Sequence, residues 1–412
     1  MSLRKFYPPV LLLLAVFCVS CTKNDDESNF AQNLPVQETN QLDYAEVIDG
    51  QIDLGTLSID VKANGNYQGK NDPNFIKNIG APNFGYCHPD VQYFPNGFNG
   101  YQYWMVFTPY FGSLGNEERY ENPTVVASND GLNWAAPKGI NTQLQSAITM
   151  KESISDKKKN PKQGFWSDVD WTFENNQFSL YYRASFINTS TLKKRGANSN
   201  NNVRKLNKNA ERVIVRQTSK DGIHWSALEI VFNSNFPSTP TDNHILSPTF
   251  VNNGKEYVSF EVENNISPNF PGNEPSYVVR RTSKNGLDFS KFKQSTIVNF
   301  INKPWKEISS ENAPWHIQGT YVDGYYFLLL AVGEVKKYTA ESLYLAFSKD
   351  GINFKTLPKA LVEKNVYRSS LFPMKTDAET IDFGAVIGFK SGIFKLRKFK
   401  LNKEMLDNCL KN

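Results

Sequence analysis

Four stretches of the chain share one pattern: SNDGLNW from Ser128, SKDGIHW from Ser219, SKNGLDF from Ser283 and SKDGINF from Ser348. Each reads Ser, any residue, Asp or Asn, Gly, two further residues, then an aromatic. An internal repeat constrains the fold more than any local propensity, because every copy must build the same unit and the units must bury one another. Asp-Gly or Asn-Gly between apolar runs is a hairpin signal. The pair accepts the positive φ angles of a type I′ turn, the Ser can bond the turn backbone, and the aromatic folds back over the hairpin. The four serines are 91, 64 and 65 residues apart, so the unit is about 65 residues long and the first interval carries an insertion. The lysine-rich KESISDKKKNPKQG from 151 and the low-complexity STLKKRGANSNNNVRKLNKNAER from 190 are the candidate inserts.

Within each unit the order also repeats. An apolar strand leads through a turn to an aromatic strand (YQYWMVFT, QFSLYYRAS, KEYVSFEV or YYFLLLAV), then a third strand and the Ser-Asp-Gly hairpin into a fourth. That describes a four-stranded antiparallel blade. A fifth unit from residue 367 has inner and middle strands without the hairpin, and the N-terminal QIDLGTLSIDV is available to supply its missing outer strand. With 13% aromatics, 21 Pro and 25 Gly, and no long segment of helical periodicity, the composition agrees with many short strands joined by turns. The expected fold is therefore all-β, a five-bladed β-propeller over residues 71–405, preceded by a tether and ring-closing strand in residues 21–70.

The first twenty residues are read as an export signal. Arg4 and Lys5 precede the apolar VLLLLAVFCVSC, too short for a membrane span and suited to a secretory h-region. The run ends at Cys21 and a polar stretch follows, which resembles a bacterial lipoprotein signal with Cys21 as the lipidated residue. Asp25, Asp26 and Glu27 resemble the acidic export tag of Bacteroidetes surface lipoproteins. The resemblance implies lipid anchoring in the outer membrane with display at the cell surface. Removing Arg4 and Lys5 with the signal lowers the formal charge from +5 to +3, which is no nucleic-acid-binding balance. Of four cysteines, Cys87 and Cys409 remain in the mature chain, about 320 residues apart, and are read as free thiols. Cys87 beside His88 lacks the second ligand pair of a zinc signature.

Three features together carry a family resemblance: HPDV at the entry to the first blade, SxDGxxW between blades, and WSDVDWTFENNQFSLYY in the second blade. Over about residues 75–400 the chain resembles the five-bladed propeller glycoside hydrolases typified by glycoside hydrolase family 43. The hairpin also resembles the Asp box of sialidases, which has one more residue between Asp and Gly. The family resemblance implies three carboxylates at the rim of an axial funnel: a base, matched by Asp90; a second Asp that tunes and orients, matched by Asp168 with Asp170 as its rival; and a Glu acid on blade three. Such chemistry needs two carboxylates in opposite protonation states. The chain departs from the pattern at the acid, reading Leu246-Ser247-Pro248 where the family has Glu-Gly-Pro. Glu261 is taken as the replacement, with Glu263, Glu121, His244 and His316 as rivals. The resemblance also implies inversion and a calcium ion near the axis. No motif specifies that ion, and no cofactor is otherwise called for.

Placed on inner strands beginning at CHPDV, FWSDVDW, HILSPTF, APWHIQG and VYRSSLF, His88, Trp166, Asp168, Asp170, His244, Trp315, His316, Gln318 and Arg368 would gather near the axis. Flat apolar faces and charged forks of this kind grip sugars. Glu121, in RYENP, stands at a strand entry, and buried Arg183 would demand Asp168 or Asp170 as partner. Trp134 and Trp225, inside the repeated hairpin, and Trp104 are read as packing. The expected function is a surface-anchored glycoside hydrolase acting on a polysaccharide or oligosaccharide. The alternative is a non-catalytic glycan-binding lipoprotein that has kept the funnel and lost the acid. Carbohydrate and, through Cys21, the membrane are the expected partners of a monomer.

Overall fold

In the computed structural model the described residues are 45–46, 57–58, 60–62, 85–110, 121–140, 144–146, 148–149, 151–153, 164–187, 189–199, 212–233, 246–264, 274–289, 296–337 and 340–411. The export signal, Cys21, most of the tether and His244 lie outside them. Five antiparallel sheets follow one another in chain order. From the axis outward, blade one is Gly85–Phe98, Tyr101–Tyr110, Thr124–Ser128 and Asn133–Ala135. Blade two is Phe165–Glu174, Gln177–Ser185, Arg212–Ser219 and Glu229–Asn233. Blade three is Leu246–Asn252, Tyr257–Asn264, Ser276–Ser283 and Thr296–Ile297. Blade four is Asn312–Val322, Tyr325–Glu334, Ser342–Ser348 and Asn353–Thr356. The chain is thus the five-bladed propeller of four-stranded blades that the repeat predicts.

Blade five contributes only three strands of its own, Ser370–Thr376, Thr380–Gly388 and Phe394–Asn402. Its outer edge is completed from the N-terminal side, where Ala45–Glu46 and Leu57–Ser58 both pair antiparallel with Phe394–Asn402. Two residues later Asp60–Lys62 crosses to blade one and pairs parallel with Asn133–Ala135. The stretch QIDLGTLSIDV therefore joins the last blade to the first. At the second insert Thr189–Lys194 is helical and Asn198–Ser199 adds a parallel edge strand to blade two. A C-terminal helix, Lys403–Lys411, buries Leu406 and Cys409, and among the described residues no helix is long and apolar enough to cross a membrane.

The repeated hairpin differs from the expected turn. Positive φ occurs at the glycines, 76° at Gly131, 75° at Gly222, 68° at Gly286 and 69° at Gly351, and not at the preceding Asp or Asn, so the loop is not type I′. The side chains explain why. Asp130 Oδ1 accepts the amides of Leu132 and Asn133, each at 2.8 Å, while Ser128 Oγ accepts those of Asp130 and Gly131. These side-chain bonds replace the backbone ladder of a tight turn. The outer carboxylate oxygen then takes the residue that closes the loop, Asn133 at 2.7 Å, His224 at 2.6 Å or Asn353 at 2.8 Å. In the third copy the partners are exchanged: Asn285 donates to Asp288 at 2.8 Å. The aromatic closes the unit, with Trp134 Nε1 donating to Gly131 O at 2.8 Å.

The apolar cores lie in the seams between blades. Trp104, Val106, Trp171 and Phe178 fill the seam of blades one and two, Tyr181, Phe232, Phe250 and Phe289 that of two and three, and Met105, Phe107, Phe372 and Phe394 that of one and five. Trp104 and Trp134 are buried packing residues, as the repeat implies.

Without the closing segment, the edge of Phe394–Asn402 loses its hydrogen-bonding partner. A soluble chain starting at residue 64 is therefore expected to melt several degrees below one starting at residue 22, as read by circular dichroism. Equal melting temperatures would show that closure adds no stability.

Candidate active site

Inner strands of blades one to four open with a β-bulge. Pairing with the second strand skips between Cys87 and Asp90, Ser167 and Asp170, Leu246 and Thr249, and Pro314 and His316. A bulge re-aims a side chain. In the first three blades the residue inside it, His88, Asp168 or Ser247, adopts φ of 53°, 52° or 46°, a region uncommon for residues other than glycine. The inner strands thereby present two tiers of side chains, two residues apart along each strand. The upper tier is His88, Asp168, Ser247, His316 and Arg368; the lower is Asp90, Asp170, Thr249, Gln318 and Ser370. None of the ten is more than 4% exposed.

The lower tier is a closed circuit of hydrogen bonds. Asp90 Oδ2 accepts the amide of Trp171 at 2.8 Å, Asp170 Oδ2 that of Phe250 at 2.7 Å, and Thr249 Oγ1 that of Gly319 at 2.8 Å. Gln318 Oε1 accepts the amide of Leu371 at 2.8 Å, and Ser370 Oγ that of Val91 at 2.9 Å, which returns to blade one. Each blade thus holds the backbone of the next. Asp90 Oδ1 also receives Val91 N, Ser370 Oγ and Gln318 Nε2 at 3.0, 3.0 and 3.2 Å, and Asp170 Oδ1 receives Arg368 Nη2 at 2.9 Å. Burial lifts Asp90 to about 6 despite these donors. It lifts Asp170 further, with the neighbouring Asp90 charge adding to the effect.

The upper tier is less satisfied. His88 Nδ1 faces Thr108 Oγ1 at 2.9 Å and Glu121 Oε2 at 3.4 Å. Thr108 and Glu121 thus hold the Nδ1 side of the ring and leave Nε2 turned towards blade two. His88 Nε2 faces Asp168 Oδ1 at 3.2 Å, yet the two atoms make no hydrogen bond. Asp168 Oδ2 is gripped by Arg183 Nη2 at 2.9 Å and Ser247 N at 3.3 Å, so Asp168 is the carboxylate that buried Arg183 demands. His316 packs against Tyr367 at a tilt, with ring centroids 4.4 Å apart, and lies 5.3 Å from His88, and neither of its nitrogens has a hydrogen-bond partner. Donor atoms of His88, Asp168 and His316 lie within 4.8 Å of one another.

Electrostatics sharpen these roles. Burial alone would raise the Asp168 carboxyl, but the neighbouring charges, Arg183 first, outweigh it and hold it well below the usual range. Burial, then His88, keeps His316 well below the ordinary imidazole value and hence neutral. Glu121 is raised by burial against the pull of His88. Two imidazoles and an anionic carboxylate suit a zinc-like transition ion with open positions. A calcium ion takes six to eight oxygens, so these residues do not fit the calcium that the resemblance implies. The separation of 3.2 Å between His88 Nε2 and Asp168 Oδ1 is close to the tetrahedral edge of about 3.3 Å that bonds of about 2.0–2.1 Å produce.

Other residues singled out in the sequence stand elsewhere. Trp166 is in the core of the first seam, its Nε1 donating to Ser146 O at 3.1 Å. Trp315 is buried beside His316 at 5.7 Å between ring centroids. Glu261 pairs with Arg281, in a buried cluster on the second and third strands of blade three that the axial residues do not join. Glu263 beside it has no hydrogen-bond partner on either oxygen. Thr108, Tyr367 and Ser247 escaped the sequence reading as site residues. Aligning HPD, DVD, SPT, HIQ and RSS at the five strand entries would have found Ser247 and Ser370. Nothing local marks Thr108.

No model of a known protein family matches the chain. A stretch of 58 residues is 41% identical to the A type blood N-acetyl-α-D-galactosamine deacetylase of Flavonifractor plautii, covering 14% of this chain and 7% of that protein. Among solved structures, an N-acetylgalactosamine deacetylase from F. plautii in complex with blood group B trisaccharide is similar, with TM-score 0.55 and 18% identity over 79% of this chain and 92% of that one. The α-L-arabinofuranosidase Arb93A of Fusarium graminearum reaches TM-score 0.47 at 14% identity over 79% and 78%. An α-L-arabinanase of Penicillium chrysogenum reaches 0.46 at 10% over 77% and 76%. At these identities the likeness extends to the fold.

Burial, and next the Glu261 charge, raise Glu263 to about 8, against about 4.3 in an unfolded chain. The folded state therefore prefers the protonated form. The stability this group contributes is complete below about pH 4 and is lost as pH rises through about 8. A Glu263→Gln variant should melt close to the parent at pH 4.5 and several degrees above it at pH 8.5. A pH-independent difference would overturn this assignment.

Proposed function

We propose that this chain is a carbohydrate-active hydrolase that removes the N-acetyl group of an amino sugar at the axial cluster, with His88, Asp168 and His316 holding a divalent transition-metal ion. One observation carries the reading: buried donor atoms of His88, Asp168 and His316 lie within 4.8 Å of one another, and His88 Nε2, Asp168 Oδ1 and both His316 nitrogens have no hydrogen-bond partner, an arrangement that a cation relieves. The neutral His316 supplies a third donor. The deacetylase likeness in both sequence and structure supports the substrate class. When bound, such an ion would polarise the acyl oxygen and acidify a water molecule. The protein's own part is to orient and hold charge. Thr108 and Glu121 fix the His88 ring from behind, Arg183 keeps Asp168 anionic, and Tyr367 fixes the plane of His316. Asp90 and Asp170 are read as members of the structural circuit.

The second reading is the glycoside hydrolase implied by the sequence resemblance. It has one observation in its favour, since Glu121 is pushed up and Asp168 down on opposite sides of His88, as an acid and base pair would require. Acetate and reducing-end release, measured together on oligosaccharides terminated by N-acetylgalactosamine, separate the two. The metal reading expects acetate alone, abolished by 1,10-phenanthroline and restored by added zinc or manganese. His316→Ala should lose at least about a hundredfold in rate, more than outer-shell partners typically cost. Chelator-insensitive release of reducing sugar, lost in Glu121→Gln, would favour the glycosidase. Binding without either product would leave a capture protein.

The N-terminal sequence supports the same enzyme being anchored through Cys21 in the outer membrane and displayed at the surface. A Cys21→Ser variant should then move from the detergent phase to the soluble fraction on Triton X-114 partition. Unchanged partition would remove the anchor from the proposal.

A further inference from the structure

The seam between blades three and four contains a cavity of about 220 Å³, separate from the residues of the axial cluster. Its walls combine Tyr277, Phe300 and Trp305 with Glu274, Ser276 and Lys303, and its inner end is formed by Ala313 and Pro314. Pro314 stands two residues before His316 on the inner strand of blade four, at most about 7 Å along the chain. The lining therefore includes a residue of the inner strand that carries His316 as well as Ile297 and Asn299 of the edge strands.

Three properties distinguish this place from an ordinary surface cleft. First, four large hydrophobic side chains among the described residues are exposed, and three of them, Ile297, Ile301 and Ile308 at 38%, 51% and 67%, belong to the segment that roofs the seam. Second, Trp305 lines the cavity, is 1% exposed and has an indole N–H with no acceptor. Third, the polar groups are held in place: Glu274 sits between Lys303 at 2.7 Å and Lys306 at 2.8 Å, and Ser276 donates to Pro314 O at 2.6 Å. Aromatic walls, an unused donor and a fixed carboxylate in a volume of roughly seven waters suit one pyranose ring, whose faces are apolar and whose edge carries hydroxyls.

We infer that the blade three–four seam is a second sugar subsite, holding the residue next to the reacting sugar, so that the substrate is an oligosaccharide whose chain leaves the axis along this seam. The inference rests on the axial cluster being where the terminal sugar reacts. It predicts discrimination by length, because a monosaccharide cannot reach both places.

The test compares N-acetylgalactosamine with a trisaccharide terminated by it. Binding is measured by calorimetry and acetate release in parallel, on the mature chain, its Tyr277→Ala and Glu274→Gln variants, and Lys151→Ala as an exposed control. The parent should bind the trisaccharide at least about tenfold more tightly than the monosaccharide. Both seam variants should lose most of that ratio while melting as the parent does, and the control should keep it. Should Tyr277→Ala unfold, the partly exposed Glu274→Gln still decides the matter. Equal affinity for the two sugars in the parent, or a ratio untouched in the seam variants, overturns the subsite and leaves the axial reading standing. A ratio that depends on Tyr277 and Glu274 without acetate release keeps the subsite as a glycan-binding groove and removes the axial chemistry. Binding of neither sugar removes both.

Discussion

The circuit in which each blade's side chain holds the next blade's backbone amide is the constraint on which the rest of the molecule depends. Five amides, of Trp171, Phe250, Gly319, Leu371 and Val91, lie where the inner strands crowd together and water has little access. Left unpaired, each would cost about 1–3 kcal/mol. The molecule satisfies them with two carboxylates, two hydroxyls of different length and one amide, so the chemical identity at the tier varies while the acceptor is always present. The two carboxylates bring a difficulty of their own, since two buried negative charges with Arg368 as the adjacent cation cannot both be comfortable. Both carboxyls are accordingly pushed upward, and the pair prefers to keep a proton.

Orientation in the upper tier follows from the lower. Because Asp90, Asp170 and Thr249 are pinned by the circuit, the residues two positions before them are forced through a bulge with positive φ. They present their side chains inward from fixed backbones. His88 and Asp168 meet for that reason, from positions 80 residues apart in the chain, and His316 joins them from just past the bulge of blade four. The surroundings then divide their charge states. Arg183 keeps one carboxylate anionic, burial keeps one imidazole neutral, and Thr108 holds the ring of the other. A site of this kind is preorganised by the scaffold before any ligand arrives.

The same geometry places the axial cluster and the seam on either side of one strand. In a propeller the inner strand of each blade borders both the axis and the gap to its neighbour. A bulge at Pro314–His316 turns His316 towards the axis while Pro314 faces the gap. Two neighbouring residues of one strand thus border the axial cluster and the seam cavity.

The sequence by itself determined the number of blades, the order of strands within them and the identity of the closing segment. Those follow from local, repeated patterns: a loop whose Ser, Asp and Gly satisfy one another within six residues needs no distant partner to be legible. The inner-strand entries were also legible, and with them His88, Asp168, His316 and Arg368 as axial residues. What the letters HPD and DVD could not disclose is which acid joins the structural circuit and which faces the open tier. That depends on a register shift of one bulge and on amides contributed by the next blade. Nor could they show that Glu261 would be captured by Arg281, or that Thr108 would stand behind His88, because both pairings cross strands and are decided by which face of the sheet is turned to which neighbour. Only the tertiary structure brings His88 Nε2 against an Asp168 carboxylate oxygen, since that encounter requires two blades to be held at a fixed distance by bonds the sequence does not spell out.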